Sequence, residues 1–169
     1  NFFLMQIACR EKASGLPNAY GFIIEVVRRK ENGRLTDYNA LHFDIKRMGL
    51  INRKYGGDAG SEIIVKYALK LRESMAEDEV LGRLGGNFFV ALVRKENTQD
   101  FLKQLAHTDI TINLPNGSGT EVVTMSSVAG IYGIESNDID PNQIMNNVSM
   151  AGNIAKHMKR KPYVFLTPE

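Results

Sequence analysis

Two pairs of charged residues in this sequence have a spacing that would let each pair bind a phosphate group or a metal ion. Asp44 ends a short, mostly apolar run that predicts a buried strand, and Lys46 lies two residues further, on the same strand face. Lys156 and Arg160 are four residues apart, so both lie on one face of a predicted helix. Magnesium requires anionic oxygens, whereas Lys46 is a built-in cation beside Asp44. We therefore predict that any triphosphate binding is independent of magnesium.

Three of these residues, Asp44, Lys156 and Arg160, also have a purely structural interpretation, and the sequence leaves both interpretations open. Asp44 would then cap the next helix, because a helix N-terminus favours negative charge. Lys156 and Arg160 would be solvated side chains near a helix C-terminus, where positive charge is favourable.

Composition narrows the class of protein. A chain of 169 residues with 43% hydrophobic content is enough for the core of one domain. The formal net charge is +2 and the basic residues are spread along the chain, so no nucleic-acid partner is implied. Cys9 has no partner for an internal disulfide, so we expect the protein to be cytoplasmic. The three histidines, His42, His107 and His157, do not have the spacing of metal ligands. No apolar run approaches the roughly 20 residues that cross a bilayer, so we expect no membrane contact.

Hydrophobic periodicity and turn residues predict an α+β domain, a two-layer or three-layer α/β sandwich with helices packed on a sheet. Gly85-Gly86 between two apolar runs is typical of a tight hairpin turn. Pro141 suits the first turn of the last helix, where its missing N–H has no partner to lose. We predict helices over residues 19–29, 48–55, 58–75, 98–106 and 140–158, and strands over 40–45, 80–84, 88–93, 110–114, 121–134 and 163–166.

Five short segments, spread over nearly the whole chain, form one ordered set of motifs. They are ASGLPN at 13–18, FDIKRM at 43–48 followed by IN at 51–52 and YG at 55–56, RLGGNFF at 83–89, VTMSSV at 123–128, and AK at 155–156. In order, these resemble the LTGLPNR, D-x-D-x-F-K-x-x-N-D-x-x-G-H, R-x-GGDEF, V-T-x-S-I-G and A-K motifs of the GGDEF (diguanylate cyclase) family. The resemblance implies a nucleotide-cyclase-like fold with a central, mostly antiparallel sheet over residues 13–169, preceded by a connecting segment, residues 1–12.

The resemblance also implies a site that has lost its catalytic carboxylates. Working members of the family condense two GTP molecules into cyclic di-GMP with the help of magnesium ions. Asp44 matches the family's first metal-ligand position and is retained as a vestigial metal ligand, but normally acidic positions hold Lys46, Asn87 and Phe88. An amide cannot usefully accept a proton and a phenyl ring offers no ligand at all, so we predict no cyclase activity.

The positions that contact nucleotide in the family are only partly matched. Asn52 matches the guanine-contacting Asn, while Ser61 stands where an acidic partner would contact the base. Lys156 and Arg160 match the basic pair that reaches the terminal phosphates, whereas Gly49 replaces a lysine. These matches favour a phosphate contact over base recognition; alternatively, Asn52 satisfies local backbone groups. The family's product-inhibition motif, R-x-x-D, is replaced by Ala-Glu-Asp-Glu at 76–79, so we do not expect cyclic di-GMP to bind there.

Three functions remain open on this basis. The leading one is a catalytically inactive signalling domain, typical of bacteria, that regulates an adjoining domain such as an EAL phosphodiesterase, by binding GTP or a related nucleotide. The second is a cyclase with residual activity, and the third is a dimerisation scaffold without a ligand. The expected partners are GTP, a neighbouring domain of a longer chain and a second copy in a homodimer. Magnesium enters as a cofactor only if residual nucleotide binding depends on it.

Overall fold

The computed structural model describes residues 2–158 and 161–166 and alternates helices with strands as the periodicity predicts. The strand that carries Asp44 and the last helix end close to each other, and these two elements position the candidate site. The helices are α1 (Phe2–Cys9), α2 (Ala19–Glu31), α3 (Met48–Tyr55), α4 (Gly57–Glu73), α5 (Thr98–Ala106) and α6 (Pro141–His157). The strands are β1 (Tyr38–Ile45), β2 (Val80–Gly85), β3 (Phe88–Arg94), β4 (Thr108–Asn113), β5 (Thr120–Met125), β6 (Ser127–Gly133) and β7 (Tyr163–Leu166).

Strand β1 lies at the centre of a five-stranded sheet with the order β2-β3-β1-β6-β7. It is antiparallel to both neighbours, and Asp44 near its end lies opposite Phe88 on β3 and Val128 on β6. Strands β2 and β3 form the predicted hairpin, and β7 adds parallel to β6. The prediction of a central, mostly antiparallel sheet is therefore confirmed.

Helices cover both faces of this sheet, because β1 is apolar on both. Leu41, Phe43 and Ile45 pack with α4 and α5, and the Phe43 ring stacks on Phe89 with centroids 5.1 Å apart. Ala40 packs on the opposite face, with α2 and α6. Side chains alternate along a strand, so Asp44 points to the α6 side of the sheet. The result is a three-layer α+β sandwich, as predicted.

The strand-like run predicted over residues 121–134 is two strands in two different sheets. β5 pairs with β4 in a separate hairpin, whereas β6 enters the central sheet beside β1. Ser126 lies between them, and its carbonyl oxygen accepts a hydrogen bond of 2.8 Å from the backbone N–H of Lys46. The prediction of one continuous strand was wrong because composition alone does not show where a chain leaves one sheet for another.

Helix α1 lies within the segment that we predicted to be a connection. Its side chains at Phe3, Leu4 and Ile7 are exposed although they are apolar. The boundary placed after residue 12 stays a prediction. Across residues 2–158 and 161–166, none of the helices combines the length and the apolar character needed to cross a bilayer.

Helix α6 is held close to the sheet by glycines. A Cβ atom built on Gly130 of β6 would lie 2.0 Å from the backbone carbon of Ala151. A Cβ atom built on Gly152 would lie 2.4 Å from Nδ1 of His42 on β1. The Asp140 side chain caps the helix by accepting a 2.7 Å hydrogen bond from the backbone N–H of Asn142, and Pro141 occupies the first turn as predicted. The glycines therefore set how closely the C-terminal end of α6 approaches the tip of β1.

Replacing Gly130 with alanine should lower the free energy of unfolding by about 1–3 kcal/mol, because the new methyl group has to displace the backbone of α6. Urea denaturation measures this change. Gly49→Ala is the matched control, since nothing lies within 4 Å of a Cβ atom at this exposed helical position. The control should raise the free energy by up to about 1 kcal/mol. Equal stability of the Gly130 variant and the native chain would contradict the packing described.

Candidate functional site

The candidate site is a cleft of about 720 Å³ at the tip of β1, between the β2–β3 hairpin and the end of α6. Three cationic side chains and one carboxylate share this cleft, so its charge is positive overall. Its lining residues are Asp44, Ile45, Lys46, Arg47, Asn87, Val128, Ala155, Lys156 and Met158.

Asp44 is held in the floor of the cleft with 8% of its surface exposed. Its Oδ1 atom is buried and has no hydrogen-bond donor among the described residues, while Oδ2 lies 4.0 Å from Nζ of Lys156. Burial raises the pKa of Asp44 above its ordinary value, and the positive charge of Lys156 opposes this shift. Helix α3 begins after Arg47 without a side-chain cap, so the interpretation of Asp44 as a helix cap was wrong.

Lys156 lies between this carboxylate and an aromatic ring. Its Nζ atom is 5.3 Å from the centroid of the Phe88 ring, a distance at which a cation is attracted to the ring face. The Lys156 side chain is still 55% exposed, so a ligand in the cleft can reach it. Phe89 is fully buried in the core, whereas Phe88 is 38% exposed. Burial lowers the pKa of the neighbouring His42, and Lys156 lowers it further.

Asn87 is locked to the tip of β1 by its backbone and its side chain together. Its carbonyl oxygen accepts a hydrogen bond of 3.1 Å from the N–H of Ile45. The side-chain Nδ2 of Asn87 donates a hydrogen bond of 3.0 Å to the carbonyl oxygen of Ile45. This side chain is therefore engaged in joining the hairpin to β1, a role that an acidic residue could not fill because a carboxylate has no N–H to donate.

The turn before Asn87 is fixed by Arg83, which the sequence analysis did not single out. Its guanidinium donates hydrogen bonds of 3.0 Å and 2.7 Å to the carbonyl oxygen of Gly86. It also forms an ion pair of 3.0 Å with Glu11. The arginine in the R-x-GG pattern was the available signal, because a tight glycine turn leaves carbonyl oxygens that need a donor.

Lys46 and Arg47 follow the last residue of β1 and also line the cleft. The prediction that Lys46 lies on the strand face of Asp44 was wrong, because β1 ends at Ile45. Within the described part of the chain, neither has an acidic partner within 4.0 Å. Arg47 adopts the left-handed conformation with φ of 63°, which is uncommon for residues other than glycine. Arg47 was missed in the sequence, although it is adjacent to Lys46. The cleft is therefore lined by two cations without an acidic partner among the described residues, in addition to Lys156.

The residues of the cleft do not fit a magnesium centre. The buried, unpartnered Oδ1 of Asp44 is the one feature that would favour a cation. Against it, an ammonium group already faces Oδ2, and Asn87 donates its amide to Ile45. The described residues contain no group of three His, Cys, Asp or Glu side chains that could hold a metal ion. Three cations around one carboxylate repel a divalent ion and attract a polyanion.

Two other positions that the resemblance places near the nucleotide, Asn52 and Ser61, are not among the residues that line the cleft. Asn52 is exposed on α3, and a Cβ atom built on Gly60 would lie 1.9 Å from its Oδ1 atom, so the amide packs over that glycine. Ser61 donates a hydrogen bond to the Gly57 carbonyl oxygen of its own helix. Arg160 lies outside the described residues. Of the predicted phosphate contacts, Lys156 is the one that the structure places in the cleft.

Residues 76–79, at the position of the family's product-inhibition motif, are held in place by hydrogen bonds to the Glu79 carboxylate. Glu79 is 3% exposed and accepts hydrogen bonds from the backbone N–H groups of Ala76 and Arg94, both of 2.7 Å. Asn97 Nδ2 donates a third, of 3.3 Å. The carboxylate therefore stabilises the start of the hairpin, and it offers negative charge where a cyclic dinucleotide would need positive charge.

A mostly antiparallel five-stranded sheet with helices on both faces defines a nucleotide-cyclase-like α+β domain. The chain belongs to the GGDEF family: the model of the family described as "Diguanylate cyclase, GGDEF domain" matches residues 10–162.

Individual relatives agree with this assignment. The chain is 28% identical over 167 residues to diguanylate cyclase TpbB of Pseudomonas aeruginosa, an alignment that covers 95% of this chain and 38% of TpbB. It is 25% identical over 167 residues to cyclic di-GMP phosphodiesterase PdeR of Escherichia coli, covering 96% of this chain and 25% of PdeR. The solved structure of a diguanylate cyclase/phosphodiesterase from Caldicellulosiruptor saccharolyticus has the same fold, with a TM-score of 0.76 at 20% identity, covering 98% and 97% of the two chains. The chain spans between 24% and 38% of the lengths of the curated relatives that it matches.

Asn87→Asp should destabilise the protein although it brings the signature closer to the family pattern. The variant loses the donor to the Ile45 carbonyl and places a carboxylate oxygen against it, which costs about 1–3 kcal/mol of unfolding free energy. Urea denaturation of both proteins measures the loss. Asn142→Asp makes the same chemical change at an exposed position in the first turn of α6, where negative charge is favourable, so it should not lower the free energy of unfolding. If both substitutions have the same small effect, the amide does not hold the hairpin.

Proposed function

We propose that this chain is a non-catalytic GGDEF domain of cyclic di-GMP signalling that binds GTP or a related nucleotide without magnesium and regulates an adjoining domain. The observation that carries the proposal is the charge of the cleft, where Asp44 is the single acidic residue among the described lining residues. Condensation of two GTP molecules requires carboxylates that hold metal ions and accept a proton. Lys46 and the hydrogen-bonded Asn87 provide neither.

The same charge supports a phosphate ligand. Lys46, Arg47 and Lys156 line one space, and no carboxylate of the described residues neutralises the first two. Ammonium and guanidinium groups bind phosphate oxygens by charge-assisted hydrogen bonds, and their attraction takes the place of a metal ion. Base recognition has weaker support, because Asn52 lies outside this cleft. We therefore expect the triphosphate to supply most of the affinity.

A regulatory role is supported by the lengths and descriptions of the relatives. The curated relatives are much longer than this chain, and PdeR is described as a cyclic di-GMP phosphodiesterase. A domain that binds nucleotide without converting it can report the nucleotide level to a catalytic neighbour such as an EAL phosphodiesterase. Such a neighbour shares the cytoplasm, where we place this domain.

The purified domain should make no cyclic di-GMP from GTP and magnesium, at a detection limit of about one thousandth of the rate of an active GGDEF domain assayed beside it. Loss of one stabilising group from such a site costs roughly 100-fold or more in rate, and several are missing. The double variant Asn87→Asp, Phe88→Glu should stay inactive because Lys46 remains and the hairpin is weakened. Product detected by mass spectrometry from the native chain would favour a residual cyclase instead.

Calorimetric titration with GTP should give an affinity in EDTA at least as high as in magnesium, because free GTP keeps its full negative charge. Lys46→Ala should weaken binding by about 5- to 30-fold, since a charge-assisted hydrogen bond contributes roughly 1–2 kcal/mol at a partly exposed site. Lys103→Ala, on α5 at the other face of the sheet, is the matched control and should change nothing. Affinity that disappears in EDTA would contradict metal-free binding. No binding and no thermal shift with GTP, GDP or ATP would favour a ligand-free scaffold.

A further inference from the structure

The Lys156 ammonium group already has two partners inside the protein. One is the Oδ2 atom of Asp44, at 4.0 Å, and the other is the face of the Phe88 ring, at 5.3 Å. Phe88 stands where the family has an acidic residue, and Asp44 stands at its first metal-ligand position. The residues left at the former metal site therefore hold a lysine between them.

Asp44 cannot easily turn to another cation. Its backbone is fixed in the centre of the sheet between β3 and β6, and its Oδ1 atom is buried. Lys156 is the single cation that lies within 4.0 Å of it among the described residues. A carboxylate in this position lowers the positive potential that a phosphate group would meet at Lys156.

A phosphate group entering the cleft therefore competes with Asp44 for the same ammonium group. In a metal-dependent site an aspartate favours phosphate binding, because both would bind the same metal ion. Here no bridging ion fits, so two negative groups face one lysine. Asp44 then lowers the affinity for a phosphate ligand, whereas an aspartate that holds a metal ion raises it.

We propose that Asp44 is an internal competitor of the ligand, an autoinhibitory anion that holds Lys156 and limits the affinity of the cleft for polyphosphate. The proposal rests on the proposed function in taking the cleft as the phosphate site. The proposal goes beyond that function, because in it Asp44, the acidic residue retained from the family pattern, lowers the affinity for the ligand. Removing the charge of Asp44 while keeping its shape should strengthen binding, with no requirement for magnesium.

The test is a calorimetric titration of the native chain and of Asp44→Asn with inorganic tripolyphosphate and with GTP, both in EDTA. The affinity of Asp44→Asn should be about 2- to 5-fold higher, as expected for one partly exposed ion pair. Asp100→Asn is the charge-matched control, since Asp100 is exposed on α5 across the sheet, and it should leave the affinity unchanged. Thermal denaturation should show that Asp44→Asn folds at least as stably as the native chain, because a buried oxygen without a donor loses its charge.

A double-mutant cycle with Lys156→Gln shows whether the competition acts through this lysine. In the Lys156→Gln background, Asp44→Asn should raise the affinity by less than twofold. Tighter binding of Asp44→Asn that persists in full without Lys156 would overturn the pairing.

The outcomes separate this proposal from the proposed function. If the native chain binds in EDTA and Asp44→Asn binds equally or more weakly, the competition is wrong while the metal-free site stands. If only Asp44→Asn binds, the competition is supported and nucleotide binding by the native chain is wrong. If neither protein binds tripolyphosphate or GTP, both proposals are wrong.

Discussion

The tip of β1 is the position on which the rest of the molecule depends. Strands β3 and β6 pair with β1 along its whole length, and the Asn87 amide adds a side-chain hydrogen bond at its last residue. These contacts fix the backbone of Asp44, while the glycines of β6 and α6 bring the helix that carries Lys156 to within reach of it. The hairpin, the central strand and the last helix thus meet in one place because each is held there by packing or backbone hydrogen bonds.

The cleft at this place combines the fold of the family with a positive overall charge. Three cationic side chains and the Asp44 carboxylate line it, and the Phe88 ring lies against one of these cations, Lys156. The Asn87 side chain donates to the Ile45 carbonyl oxygen and so holds the hairpin to β1. The lining residues therefore form a basic pocket whose charge favours an anion over a metal ion.

Most of the fold could be predicted from the sequence, because helical and strand periodicities are local properties. The hairpin at Gly85-Gly86 and the helix opened by Asp140-Pro141 carried explicit turn and capping residues, and both were found. The division of residues 121–134 between two sheets was missed, since it depends on which strand each half pairs with. In the site, the resemblance identified Asp44, Lys46 and Lys156. The contact of Lys156 with Phe88, and the presence of Arg47 in the lining of the cleft, depend on three-dimensional placement that periodicity does not encode.

Arg47 shows how backbone stability and the positive charge of the cleft are opposed in this domain. A residue with a side chain in the left-handed conformation carries a strain of about 1 kcal/mol or more, and glycine would relieve it. Glycine would also remove one of the three positive charges that line the cleft. Arginine at this turn therefore keeps a positive charge in the cleft at the expense of backbone strain, whereas glycine would relieve the strain and lose the charge.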